Sequence, residues 1–216
     1  MAIARDATTA PVQRVPSGTS ITVSHTCTGS NGFLSVMLNN TSNGTDVYSG
    51  VTYAGVSMTR PTNGFAGNNA SSAIYVLGSP ATGANNIVAS FSNNYFQTLG
   101  AISYTGCNPT YDASGQNTAG PGAASVTTTI APTVNDVWLV GCARADGASR
   151  TWSAGMTQQG AESGDQSSIA DSNGTVASGS TTRTYNATSS SLQLVLVAIA
   201  PYVDAPRRFT LLGIGT

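Results

Sequence analysis

His25 is the only histidine in the chain, and Cys27, Cys107 and Cys142 are its only thiols. A Cys–His nucleophile pair or a thiolate–imidazole metal site is the most reactive chemistry these residue types support. Their spacing argues against both. The cysteines are odd in number, far apart and form no CxxC pair, so neither a disulfide framework nor a zinc site is expected. His25 falls at an inward position of an alternating stretch, between Val23 and Cys27, where a hydrogen-bonded core imidazole is the ordinary outcome. Two residues on one strand do not hold attack geometry by themselves. Buried, reduced thiols are the expectation, with no cofactor, no metal and no catalytic residue.

The acids are Asp6, Asp46, Asp112, Asp136, Asp146, Glu162, Asp165, Asp171 and Asp204. Glycoside hydrolysis needs two carboxyls facing each other about 5–9.5 Å apart. Asp146, Glu162, Asp165 and Asp171 share a loop-rich region with Trp152, but solvated turn residues are the favoured reading, and Asp146-Gly147 is a turn dipeptide. Asp171-Ser172-Asn173-Gly174 imitates the start of a calcium loop without its closing glutamate, so it reads as a turn. No GxSxG, Walker loop, GxGxxG or HExxH occurs. The Asn-x-Ser/Thr sequons at Asn40, Asn43, Asn69, Asn173 and Asn186 are what an Asn-, Ser- and Thr-rich chain generates by chance.

Charged residues make up 8% of the 216 positions, against a usual value of about 25%. Eight Arg, no Lys and nine acids leave a net charge of −1. So weak a field does not steer a protein to phosphate, and nucleic acid is not an expected partner. No apolar run reaches membrane-spanning length, and residues 1–6 lack the apolar core of a signal peptide. Synthesis in a cytoplasm without a leader is the resulting expectation. A surface held in water by hydroxyls and amides, with little charge repulsion, suits dense side-by-side packing.

The elements that must position these residues are strands. Thr, Ser, Asn and Gly dominate, and they favour strands and turns over helix interiors. Residues 1–19 carry Pro11 and Pro16 without periodicity and read as an extended arm. Regular structure is expected from Ser20, with Ile21–Cys27 alternating apolar and polar and Phe33–Leu38 following after a Gly-rich turn. Val51–Tyr53 and Val56–Thr59 form a tight hairpin through Ala54-Gly55. Strands follow at Ser72–Leu77, Asn86–Phe91, Leu99–Tyr104, Val126–Ile130 and Val137–Ala143. The polar stretch 146–191 holds two or three short strands and long loops. In Leu192–Ile199, Leu192, Leu194, Leu196 and Ala198 face one way, and Val195, Val197 and Ile199 the other, the mark of a strand covered on both sides. The prediction is all-β: an antiparallel β-sandwich, jelly-roll-like, of about ten short strands over residues 20–202, with a C-terminal tail at 203–216.

Four ordered segments resemble a family. They are Val51–Thr59; Ile74–Leu77 with Pro80, Gly83 and the strand to Phe91; Gly100–Gly106; and Asp136–Val140 with the closing Leu194–Pro201 strand. Together they are similar to β-sandwich modules of bacteriophage structural proteins and secreted bacterial surface proteins, over about residues 20–202. The resemblance implies a non-enzymatic display, decoration or adhesion module, with no catalytic residues to transfer.

Two further groups bear on function. Tyr95, Phe96 and Trp152 lie in polar loops, where aromatics either stack on sugar rings or plug the ends of a sandwich. In the tail, Phe209 and Leu211 fall on one side of an extended chain, and Leu212 and Ile214 on the other. That tail either returns as an edge strand or adds to a neighbouring subunit, with Pro206 as hinge. The first expectation is a bacteriophage virion protein, a capsid decoration or display subunit. Its partners would be itself, as a homo-oligomer such as a trimer, and other virion proteins. A carbohydrate-binding or adhesion module with a glycan ligand is the alternative, and a glycan hydrolase ranks last.

Overall fold

Period-two alternation and β-branched residues run through most of the chain, and the computed structural model resolves them into antiparallel sheets. It describes residues 1–14, 18–41, 44–62, 64–145, 150–162 and 167–204. Among these there is no helix, and fifteen strands are present, more than the ten expected. The strands are β1 (Ala4–Arg14), β2 (Ser20–Cys27), β3 (Phe33–Asn40), β4 (Tyr48–Tyr53), β5 (Val56–Ser57), β6 (Phe65–Asn68), β7 (Ala70–Gly78) and β8 (Gly83–Phe91). They continue as β9 (Gln97–Thr105), β10 (Cys107–Ile130), β11 (Trp138–Ala145), β12 (Thr151–Trp152), β13 (Thr157–Glu162), β14 (Ser167–Asp171) and β15 (Thr181–Pro201).

Three sheets result. A central sheet runs β1-β9-β3-β7-β6, a small outer sheet β2-β8-β4-β5, and a third sheet β10-β15-β11-β14-β13 with β12 against β15. The central sheet is covered on both faces, which explains why all eight residues of β3 are buried. Leu34, Val36 and Leu38 join Ala73, Tyr75, Leu99 and Ala101 in a cluster with Ile21, Tyr53, Ile87 and Phe91 of the outer sheet. The alternate positions Phe33, Met37, Ile74, Ile102 and Tyr104 pack on Val140, Cys142, Ile169, Val195, Val197 and Ile199 of the third sheet. Burying side chains on both faces of one strand doubles its apolar contribution, at roughly 1.5–3 kcal/mol for each large side chain.

The third sheet curls round its own outer face. Leu192, Leu194 and Leu196 share one cluster with Tyr185, Val126 and Ile130, so both halves of β15 and the end of β10 line the same core. A Cβ placed on Gly115 would lie 2.6 Å from the Thr129 carbonyl oxygen, so the start of β10 packs against its end. The two-sided division of Leu192–Ile199 expected from the sequence is present as drawn.

Two differences from expectation have clear causes. Regular structure begins at Ala4, not Ser20: β1 pairs with β9 from Ala4↔Thr105 to Arg14↔Gln97, with register shifts at Arg5/Ala7 and Thr9/Val12. β1 is the edge strand of its sheet, and its second register shift spans Pro11, so the missing N–H costs no regular ladder bond. Its bulges break the alternation that would have revealed it. The Ala54-Gly55 hairpin is found, with φ of 49° and 79° at its two turn residues, the left-handed pair that a two-residue turn demands.

Candidate functional site

β1 brings the chemistry-bearing residues together, because consecutive side chains of a strand point to opposite faces. Arg5 turns toward the third sheet. Its Nε donates to Asp171 Oδ2 at 2.8 Å and its Nη2 to Asp171 Oδ1 at 2.9 Å, a bidentate pair. The Asp171 side chain is wholly buried. It also accepts from Tyr104 Oη at 3.1 Å, Gln159 Nε2 at 3.1 Å and the Asn173 amide at 3.1 Å. Asp171 is therefore not the solvated turn residue the sequence implied. It ends β14 and ties β1, β9 and β13 around one carboxylate, while the chain turns at Asn173, whose φ is 46°. Hydrogen bonding to Asp171 raises the Arg5 pKa further, and burial beside that carboxylate drives the Tyr104 phenol well above its usual range.

Asp6, the next residue, sits at the first bulge and faces the outer sheet. It accepts from the Thr28 amide at 2.7 Å, the Thr28 hydroxyl and Ser103 Oγ at 2.9 Å. Burial alone would raise its pKa, but these hydrogen bonds together outweigh that and lower it. Nearby, Thr9 Oγ1 and His25 Nδ1 are joined at 2.8 Å, linking β1 to β2. His25 is only 2% exposed, and its Nε2 has no partner.

Asp6, His25, Cys27 and Ser103 thus form the one place among the described residues where an acid, an imidazole and candidate nucleophiles converge. The electrostatics run against a thiolate–imidazolium pair there. Burial lowers the His25 pKa and raises that of Cys27, so the pair rests as neutral imidazole and thiol. A nucleophilic cysteine needs the opposite shifts. Burial pushes Cys107 and Cys142 up to about 12. All three thiols are buried and unpaired. Asp112 repeats the Asp6 pattern, accepting from the amide and hydroxyl of Thr133. Among the described residues no three metal-ligating side chains come together.

Of the grooves that open among the described residues, two are larger than the rest. The larger, about 850 Å³, is bordered by Tyr48, Thr52, Ser57, Met58, Arg60 and Tyr75 at the outer sheet. Arg60 pairs with Asp46 at 2.7 Å and lies over the Phe65 and Tyr75 rings. Tyr48 and Tyr75 are 7% and 6% exposed, so neither offers a ring face for a sugar to stack on. The second groove, about 560 Å³, lies between Met1–Ile3 and Pro201–Asp204 and carries Asp136 on its rim.

The sequence-nominated residues are dispersed. Tyr95 and Phe96 are exposed at 53% and 38% and border neither groove. Trp152 is half-buried and borders a further groove of about 410 Å³ with Arg150, Met156 and Gln158. It packs on Tyr185 with ring centroids 5.0 Å apart, donates from Nε1 to Ser168 Oγ at 2.8 Å, and closes the core of the curled sheet. Glu162 is half-buried at the end of β13, while Asp146 and Asp165 lie outside the described residues. So do Phe209, Leu211, Leu212 and Ile214 of the tail. The Arg5–Asp171 node escaped the sequence reading, since a partner 166 positions away leaves no local trace. Compared with known proteins, the chain matches no protein family, no curated protein and no solved structure.

Proposed function

We propose that the protein is a non-enzymatic structural module, a decoration or display subunit carried on a bacteriophage particle. One observation carries this reading. The imidazole and thiols are buried and the Asp6 and Asp171 carboxylates are held by hydrogen bonds, while the two most exposed large apolar groups among the described residues, Val203 and Met1, flank a single groove. Such a molecule acts through its surfaces. The sparse charge and hydroxyl-rich composition support dense packing on a particle, and the four segments that resemble phage and surface-protein modules point the same way. We read the layered sheets as an antiparallel β-sandwich, jelly-roll-like in type, to which the curled sheet is added. Self-association and contacts with other virion proteins are the partners this reading requires.

Carbohydrate binding is the second reading, favoured by the polar groove beside Arg60 and the exposed Tyr95 and Phe96. Co-sedimentation of the purified protein with particles, run beside a glycan array, separates the two. Particle binding without glycan retention supports the display reading. Retention on defined glycans, lost in Tyr95→Ala or Arg60→Ala, replaces it with the second.

A further inference from the structure

The groove between Met1–Ile3 and Pro201–Asp204 lies where the described chain hands over to residues 205–216. Its apolar wall is built by Met1, Ile3, Tyr202 and Val203, and two acids, Asp136 and Asp204, stand on its rim. Met1 is 66% and Val203 75% exposed, the highest values among the exposed large hydrophobics. Adjacent apolar groups left this open mark an interaction surface. The wall itself is firmly held. The Tyr202 amide donates to the Gly106 carbonyl at 2.8 Å, and a Cβ on Gly106 would lie 2.1 Å from the Ala2 carbonyl oxygen. Gly106, at φ 71°, lets these two backbones cross without a side chain between them.

The segment that follows is complementary in two respects. Arg207 and Arg208 match the rim acids, and Phe209, Leu211, Leu212 and Ile214 match the apolar wall. Extended, that segment is apolar on both sides, whereas an open groove covers one side only. A second apolar surface is needed, and another copy of the chain, bringing its own groove, supplies it. We propose that each groove seats residues 205–216 of a second copy, with Arg207 and Arg208 facing Asp136 and Asp204, so that the Met1/Val203 end is a self-association interface. The proposal rests on the reading of the protein as an assembling subunit and names its first partner as itself. Exchange of an identical terminal segment is a low-cost route to closed oligomers.

The test uses the full chain. Leu211→Cys, labelled with a benzophenone maleimide while the native thiols are buried, is mixed as isotopically heavy and light protein and irradiated. Heavy–light crosslinks onto residues 1–3 or 201–204, with a solution mass that is a multiple of one chain, are expected. Val203→Arg, at an exposed position, is expected to weaken association at least tenfold without loss of cooperative unfolding. Crosslinks confined to one isotope with a single-chain mass would show the segment seated in its own groove and overturn the proposal, as would crosslinks elsewhere. A chain that is monomeric yet co-sediments with particles overturns this inference and leaves the display reading standing. Oligomers formed through the groove without particle binding do the reverse.

Discussion

On one face of β1, the buried Asp171 carboxylate receives Arg5, Tyr104, Gln159 and a backbone amide. On the other, Asp6 is held by Thr28 and Ser103, but His25 beside it keeps one ring nitrogen buried and unpartnered. Both clusters join β1 to a neighbouring sheet, and they differ in how fully they are satisfied. A charge removed from water is tolerated when every lone pair finds a donor, and an orphaned ring nitrogen marks where solvent conditions can act. The contrast makes the Asp171 side a rigid rivet and the His25 side the pH-sensitive seam of the same strand.

The largest expected effect comes from breaking the rivet. Arg5→Ala should cost about 3–5 kcal/mol in urea unfolding, because it leaves the buried Asp171 carboxylate without its countercharge. Asp171→Ala should also destabilise, by stripping Arg5, Tyr104 and Gln159 of their acceptor. The double variant Arg5→Met/Asp171→Leu should recover most of that loss. Additive losses in this cycle would mean the pair is not coupled.

Asp6→Ala is expected to cost less, about 1–3 kcal/mol, by stripping partners from the Thr28 amide and Ser103. The Asp6 pKa is depressed in the folded state, so its contribution is present above the unfolded value of about 3.9 and is lost as pH falls through the folded value. Asp6→Ala should therefore flatten the stability profile below about pH 4.

His25 acts in a different window. Its folded pKa also lies below the unfolded value of about 6.5, so its contribution is complete above that pH and is lost as pH falls toward the folded value. Wild-type stability should begin to decline just below pH 6.5, and His25→Asn should remove that early slope while keeping a group able to bond Thr9. An unchanged slope in the variant would assign the titration to another group and erase the contrast between the two faces.

Part of this architecture was legible in advance. The strands of the two cores around the central sheet show apolar alternation, and Leu192–Ile199 announces its double burial through two interleaved apolar sets. β1 was hidden because bulges and Pro11 interrupt its period. The end of β10 was expected at Val126–Ile130, but its first half, paired from Tyr111↔Ile199 to Ala119↔Leu192, was hidden. So was the first half of β15, paired with the end of β10 from Asn186↔Ser125 to Thr181↔Ile130, because Thr, Ser, Asn and Gly in both leave mostly small or polar side chains. Burial of His25 and the cysteines followed from their alternation with apolar neighbours. Asp171 resembles any turn aspartate until the partners on β1 and β9 arrive, and long-range pairing has no signature in a single sequence.

The smallest effects are expected away from β1. Native protein should resist alkylation at Cys27, Cys107 and Cys142, and mass spectrometry after non-reducing unfolding should count three labels. Glu162→Ala, at a half-buried position at the end of β13, should cost less than the change at either β1 cluster. Polysaccharide turnover by the wild type that disappears in Glu162→Ala would restore the hydrolase reading.

The most direct measurement is quantitative mass spectrometry of purified phage particles from cultures that produce the protein. If the chain is a display subunit, it is present at a fixed copy number per particle, in integer ratio to the major capsid protein, and remains through gradient purification. Its absence from particles, or a trace level that varies between preparations, would contradict the display reading.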